Sequence, residues 1–216
     1  WHDPGLRATL FTLVGGGLLV AVLLWVKGVY APLDALRHGM FNLVSLASTT
    51  GYATVDYLAW PVCAPVFMLL LSGGAPSAGS TGCGIKMVRM LILLKQARRE
   101  MNRLVHPRAV QPGRLGDAVV DNRVIFSVLA FMLVYGAPIF GLSMVLLLTD
   151  LDPVAAFSAG RASVNGAGPG LGAVGPSSNC AVLTDFQVWV CTLAMLLGRL
   201  EILSFMALLT PAFWRR

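Results

Sequence analysis

Two short stretches carry the residue types that could handle a cation: Ser48-Thr49-Thr50-Gly51-Tyr52-Ala53-Thr54 and Asn165-Gly166-Ala167-Gly168-Pro169-Gly170. Each follows a segment too short to cross a bilayer and precedes a long apolar one. Irregular, glycine-rich backbone at membrane depth is tolerated only where it lines a cavity. Without a Cβ, Gly51 and Gly168 can take the backbone angles that turn successive carbonyls inward. Set around an axis, such carbonyls replace the water shell of a cation. The chemistry that fits is dehydration and passage of an ion. The competing reading is a pair of ordinary tight turns.

The elements that must position these turns form one unit written twice. In the first copy we expect an outer helix from about Arg7 to Tyr30 and a short helix from about Pro32 to Ala47. The Thr50-Gly51 turn follows, then an apolar segment from about Trp60 to Ser72. In the second copy the outer helix runs from about Asn122 to Thr149, with a kink at Pro138. A short helix follows from about Pro153 to Val164, then the Gly168 turn, then an apolar helix from about Phe186 to Leu209. Asp152 can cap the second short helix, with Pro153 at its first position. At about a dozen residues it cannot cross about 30 Å of hydrocarbon, so a re-entrant helix is the reading. A surface-lying amphipathic segment is the alternative for each short helix. A re-entrant helix aims the negative end of its dipole at the turn that follows, which favours a cation there.

Two parallel copies imply an axis along the membrane normal. Two pore loops cannot surround an ion, and a working pore needs about four. The expected fold class is an all-α integral membrane protein of repeated helix–pore-loop–helix units, two of an expected four, with re-entrant pore helices and a broken inner helix. Residues 1–97 form the first unit, 98–121 a basic cytoplasmic linker and 122–216 the second unit.

Composition supports a membrane setting. The chain is 56% hydrophobic and 12% charged, against about 25% charged for an ordinary soluble domain. Its mean hydropathy is +0.75. Ala8 to Val26 carries no charge and is about the length of a span. It lacks the cleavage site of a signal peptide. The chain starts at Trp1 without an initiator Met, and we expect a longer parent protein. The net charge of +6 is concentrated between the two copies. Lys86, Arg89, Lys95, Arg98, Arg99, Arg103, Arg108, Arg114 and Arg123 are opposed there only by Glu100, Asp117 and Asp121. The positive-inside rule makes that stretch and Arg215-Arg216 cytoplasmic. Positives beside membrane spans explain the charge without a nucleic acid. Cys63, Cys83, Cys180 and Cys191 make no CxxC pair, so a zinc or redox site is not expected. Gly79-Ser80-Thr81-Gly82 lacks the Walker spacing although Lys86 follows it. No nucleophile–base pair appears, and no enzyme activity is expected.

Five ordered motifs resemble the membrane subunit (TrkH-type) of Trk potassium transporters, in the superfamily that includes Ktr and HKT proteins. They are Ser48 to Thr54 (STTGYAT), Ala78 to Lys86 (AGSTGCGIK), Leu104 to Val110 (LVHPRAV), Asn165 to Gly172 (NGAGPGLG) and Leu196 to Ile202 (LLGRLEI), with Leu209-Thr210-Pro211 after them. Members carry four helix–pore-loop–helix repeats, and this chain resembles the third and fourth, the C-terminal half. The resemblance implies a filter strand at Thr49, Thr50, Gly51, Tyr52 and Ala53 and another at Asn165, Gly166, Ala167 and Gly168. Potassium, as the substrate, would sit at Thr50, Gly51, Ala167 and Gly168. It also implies a multi-pass protein of the bacterial plasma (inner) membrane, a homodimer of pore subunits, and cytosolic nucleotide-binding regulatory subunits (TrkA-like). Nucleotide would bind the regulator, with no cofactor on this chain. The chain departs from the family in three places. Gly166 replaces a second Asn, which puts strict selectivity against sodium in question. The Gly73–Gly79 segment is about two residues longer than usual. Cys83 stands where Gly is common.

Ser72 to Gly84 breaks an apolar run with glycine, serine and proline, and the run resumes at Met87. In the family the matching loop lies under the filter, which assigns a gate to Gly79, Ser80, Thr81, Gly82 and Gly84. A plain extramembrane turn is the alternative. Arg199 resembles the family's pore-facing arginine, positioned to hold the gate loop. Arg199 and Glu201 are both expected inside the last apolar helix, where a charge costs at least about 2.5 kcal/mol and must face water or a partner. Snorkelling to the interface is the alternative for Arg199. His38 is expected at the start of the first pore helix, at the interface. Trp25, Trp60 and Trp214 are expected as interfacial anchors.

Overall fold

The computed structural model describes residues 3–77, 79–80, 82–106, 114–115, 118–178, 180–200, 205 and 210–214. Its helices are α1 (Pro4–Val26), α2 (Pro32–Ala47), α3 (Cys63–Ser72), α4 (Met87–Val105), α5 (Asn122–Leu147), α6 (Pro153–Asn165), α7 (Asp185–Arg199) and α8 (Pro211–Trp214). Apart from short 3-10 turns, the other regular structure among the described residues is a two-residue antiparallel ladder. It pairs β1 (Arg114–Leu115) with β2 (Ala118–Val119).

The two outer helices start where the sequence supplies a cap. The Asp3 carboxylate accepts from Gly5 N at 2.8 Å, with Pro4 at the first helical position. Asp121 accepts from Arg123 N at the head of α5. These helices, 23 and 26 residues long, are long and apolar enough to cross a membrane. Their exposed residues include Phe11, Val26, Phe126 and Leu133. Outward apolar side chains suit hydrocarbon as solvent.

Each outer helix pairs with its short helix. On α1, Gly16, Gly17 and Ala21 face Gly39, Met40 and Leu43 of α2. A Cβ at Gly39 would lie 3.1 Å from both Ala21 Cα and Ala21 N. Small residues let two backbones approach this closely. Gly39→Leu is therefore expected to cost about 1–3 kcal/mol by overpacking. A thermal melt of the complete protein in detergent checks this, and an unchanged Tm would mean that α1 and α2 can separate freely. Val20, Leu24, Leu43, Leu46 and Met68 form the buried centre of the first unit. In the second unit, Leu146, Ala156, Ala159 and Val190 join α5, α6 and α7. α4 lies along α5, with Ile92 against Ile125 and Val128. The Arg89 guanidinium sits 3.9 Å over the Phe131 ring.

Several expectations change. The last long helix ends at Arg199, with Leu200 as its C-cap, instead of running to Leu209. Arg199 is thus the last residue of α7 and exposed. Glu201 lies outside the described residues, as do Ala78, Thr81, Pro107 to Val110, Arg215 and Arg216. α7 starts one residue early because Thr184 and Gln187 close a capping box, and the Gln187 amide also donates to Thr149 Oγ1 at 2.8 Å. α4 runs through residue 98 to Val105, so the first part of the basic linker is helix. α3 begins at Cys63, and Trp60 is 3% exposed. Trp60 packs edge-on to Tyr30 and against Tyr57, so it is a core residue of the outer loops and not an interfacial anchor. His38 lies well inside α2, not at its start.

Candidate ion-conducting site

The two glycine turns have the same backbone plan. Each begins with a left-handed residue at the end of its short helix, Thr49 (φ 58°) and Gly166 (φ 62°). Two residues later comes a glycine of positive φ, Gly51 (82°) and Gly168 (87°). Thr49 N bonds the Leu46 carbonyl and Gly166 N the Ser163 carbonyl, each three residues back. Thr50 N bonds Ser45 O at 2.8 Å and Ala167 N bonds Ala162 O at 2.9 Å, each five residues back. Such bonds close a helix C-terminus with a left-handed residue, where glycine is usual. Thr49 is β-branched and costs about 1–3 kcal/mol in that conformation. Glycine at 166 meets the same requirement without strain.

The fold brings the turns into direct contact. A Cβ at Gly51 would lie 3.0 Å from the Ala167 carbonyl oxygen and 3.7 Å from Gly168 Cα. A Cβ at Gly168 would lie 3.5 Å from Gly51 Cα. Only glycine permits this approach at these dihedrals. A cavity of about 410 Å³ opens beside them, lined by Gly51, Tyr52 and Ala53 from one turn and Gly168, Pro169 and Gly170 from the other. The C-termini of α2 and α6 both end at this point. Each brings the negative end of a helix dipole. Tyr52 is 73% exposed, so what it offers the site is backbone. Outside this ring, the Ser177 hydroxyl donates to Asp56 Oδ2 at 2.8 Å and clips the two outer loops together. Burial, with Asp56 alongside, pushes the Tyr57 phenol in that loop up to about 12.

Beside the second turn lies the Gly73–Gly84 segment. Its ends are closed by backbone bonds, Ile85 N to Gly73 O and Met87 N to Pro76 O, both 2.8 Å. Ala75, Pro76, Cys83 and Ile85 are buried, whereas Gly79 and Ser80 at the tip are exposed. The segment touches the second turn directly. A Cβ at Gly166 would lie 3.2 Å from Cys83 Sγ. Gly166 and Cys83 therefore face each other, and the Cys83 thiol occupies the space next to the glycine. Gly198 of α7 abuts the Val164 carbonyl at the end of α6 so closely that no Cβ fits. This contact places Arg199, the next residue, close to the end of α6.

Residues 24–215 match the TrkH family, described as cation transport protein. The chain belongs to the TrkH family. The Trk system potassium uptake protein TrkH of Vibrio parahaemolyticus is 39% identical over 216 residues, covering 100% of this chain and 44% of that protein. The Trk system potassium uptake protein TrkG of Escherichia coli K12 is 36% identical, covering 99% and 44%. The crystal structure of the potassium transporter TrkH from Vibrio parahaemolyticus superposes with a TM-score of 0.92 at 39% identity, over 100% of this chain and 46% of that one. The chain thus spans about 44% of the length of the relatives it matches.

Sequence reasoning missed a polar cluster behind the second turn of this TrkH-family chain. Arg161 of α6 donates from Nε to Leu69 O at 3.2 Å and from Nη2 to Leu70 O at 3.1 Å. Those are late carbonyls of α3, which ends at Ser72 and so gives them no backbone donor, although Ser72 Oγ donates to Leu69 O at 2.7 Å. Asn165, fully buried, donates to Ser72 Oγ at 3.1 Å and accepts from the Tyr135 hydroxyl of α5. Asn165 therefore braces three helices with its side chain. Arg161 carried a legible signal, a lone charge in a short apolar helix, which marks a functional or bracing site in a membrane chain.

Proposed function

We propose that this chain supplies two strands of the selectivity filter of a potassium uptake protein. Thr49 to Ala53 form one strand and Asn165 to Gly168 the other. Potassium crosses passively after the carbonyls of Thr50, Gly51, Ala167 and Gly168 replace its water. The observation that carries the reading is the contact of Gly51 and Gly168, two positive-φ glycines from matching turns at the dipole ends of two short helices. The names of the relatives support potassium as the ion. Further strands come from repeats beyond these residues, so the filter is complete only in the whole protein. The Gly79–Gly84 segment, under the second strand, and Arg199 act as the gate. A homodimer of pore subunits docks regulatory nucleotide-binding subunits through the basic surface from Lys95 to Arg123, in the bacterial inner membrane.

Rubidium influx into liposomes holding the complete protein, with sodium as competitor, tests this. Gly168→Ser adds a side chain at φ 87° against Gly51 Cα. It is expected to lower rubidium flux about tenfold or more, or to admit sodium. Flux and selectivity equal to wild type would move the ion path elsewhere. A sodium-permeable or ion-coupled carrier is the second reading, favoured by the glycine at 166. Sodium competing equally with rubidium in the wild type would select it.

A further inference from the structure

Each filter strand is tied at its inner end by the helix-closing bonds of Thr50 and Ala167. Three residues beyond each filter glycine a second tie appears. In the first unit, Asn42 of α2 accepts from Thr54 N at 3.1 Å. Its amide donates to Thr54 Oγ1 at 2.9 Å and to the His38 carbonyl at 2.8 Å. In the second unit, Ser158 Oγ of α6 accepts from Leu171 N at 2.9 Å and has the Ala155 and Leu171 carbonyls at 3.2 Å. A hydroxyl carries one proton, so it donates to one of these at a time. Asn42 and Ser158 are each 1% exposed.

Thr54 and Leu171 hold the same place in the two strands. Asn42 and Ser158 do not hold the same place in the two helices: Asn42 is nine residues before Gly51, Ser158 ten before Gly168. Two different side chains at different helical positions reach equivalent backbone N–H groups, those of Thr54 and Leu171. Between the ties lie Gly51, Tyr52 and Ala53 in one strand, where Gly51 N also bonds Ser45 O at 3.3 Å, and Gly168, Pro169 and Gly170 in the other, where Gly170 N bonds Val174 O at 2.8 Å. Glycine leaves such a segment pliant. Selectivity by carbonyls depends on how many reach the ion and how far they yield.

We propose that Asn42 and Ser158 are positioning residues that pin the outer ends of the two filter strands and so set the discrimination between potassium and sodium. The proposal rests on the filter reading above. Loss of either side chain leaves a backbone N–H without its partner and loosens the outer end, which keeps only the His38 Nδ1–Thr54 Oγ1 contact at 3.0 Å in the first strand and the Gly170 N–Val174 O bond in the second. The carbonyls between the ties can then close around the smaller ion. Pro169, with its fixed φ, stiffens the second strand. The first strand lacks that help, so Asn42 carries the larger effect.

The test is the rubidium-to-sodium permeability ratio of the complete protein in liposomes. Asn42→Leu is expected to lower the ratio about tenfold, the worth of one such hydrogen bond. Asn42→Asp retains an oxygen for the Thr54 N–H and recovers part of it. Ser158→Ala lowers the ratio less, and Ser158→Thr, which keeps the hydroxyl, restores it. Ser158→Ala and Ser158→Thr decide the matter if Asn42→Leu does not fold. A merely structural role would reduce yield and Tm and leave the ratio alone. An unchanged ratio in Asn42→Leu and Ser158→Ala overturns the pins when Gly168→Ser in the same assay lowers either the ratio or the flux. A ratio and a flux both unchanged in Gly168→Ser as well overturn the filter reading, and the pins with it.

Discussion

Arg161→Met is expected to destabilise the complete protein by about 1.5–3 kcal/mol, the worth of charge-assisted hydrogen bonds from a half-buried guanidinium. Arg161 holds the Leu69 and Leu70 carbonyls at 3.2 and 3.1 Å. Leu69 O also accepts from Ser72 Oγ at 2.7 Å, so the Leu70 carbonyl, past the last turn of α3, depends more on Arg161. In hydrocarbon no water replaces it. The guanidinium also sits at the base of the Gly73–Gly84 segment, where a Cβ at Gly73 would lie 3.0 Å from Arg161 Nη2 and 3.3 Å from Asn165 Nδ2. Arg161→Lys is not expected to rescue, since one ammonium cannot reproduce the two-nitrogen fork at this spacing. Thermal melts of wild type and both variants in detergent decide it. A Tm within a degree or so of wild type would mean that lipid or water satisfies the α3 carbonyls and that Arg161 braces nothing.

Gly84→Ala is expected to open the base of the gate segment. Gly84 has φ 104°, and a Cβ there would lie 2.7 Å from the Gly73 carbonyl oxygen. Strain and overlap each cost about 1–3 kcal/mol. The contact is backbone on backbone, so no side chain can turn away to relieve it. The bond it disturbs, Ile85 N to Gly73 O, is one of the two that close the segment. Under the gate reading, rubidium flux through the complete protein rises and loses its dependence on the regulatory subunit, while selectivity over sodium persists. Gly79→Ala is the control, because a Cβ at Gly79 meets nothing within 4 Å. Equal flux in wild type, Gly79→Ala and Gly84→Ala would remove the segment from the gating scheme.

Much of the scaffold could be read from local signals. The bounds of α2 came from Pro32 and the threonine-glycine break. Those of α6 came from Asp152, Pro153 and the glycines after Asn165. The outer helices followed from uninterrupted apolar runs. The end of α7 did not follow, because Leu200 to Leu209 is as apolar as what precedes it and carries no glycine or proline stop before Pro211. Trp60 was misplaced for a related reason. Its neighbours Tyr30 and Tyr57 come from separate loops, and only their convergence buries it.

For the site, residue type identified which backbones could face an ion. Glycine spacing is a local, steric property, and the two turns meet the same dihedral requirement whatever surrounds them. The bracing around them depends on contacts between segments far apart in the chain. Asn165 reaches Ser72, Arg161 reaches Leu69 and Leu70, and Cys83 fills the space beside Gly166. Asn42 and Ser158 stand out of register with each other, so no comparison of the two repeats residue by residue would pair them. A hydrogen bond is set by where a donor and an acceptor end up in space, and helix packing, not sequence order, sets that position.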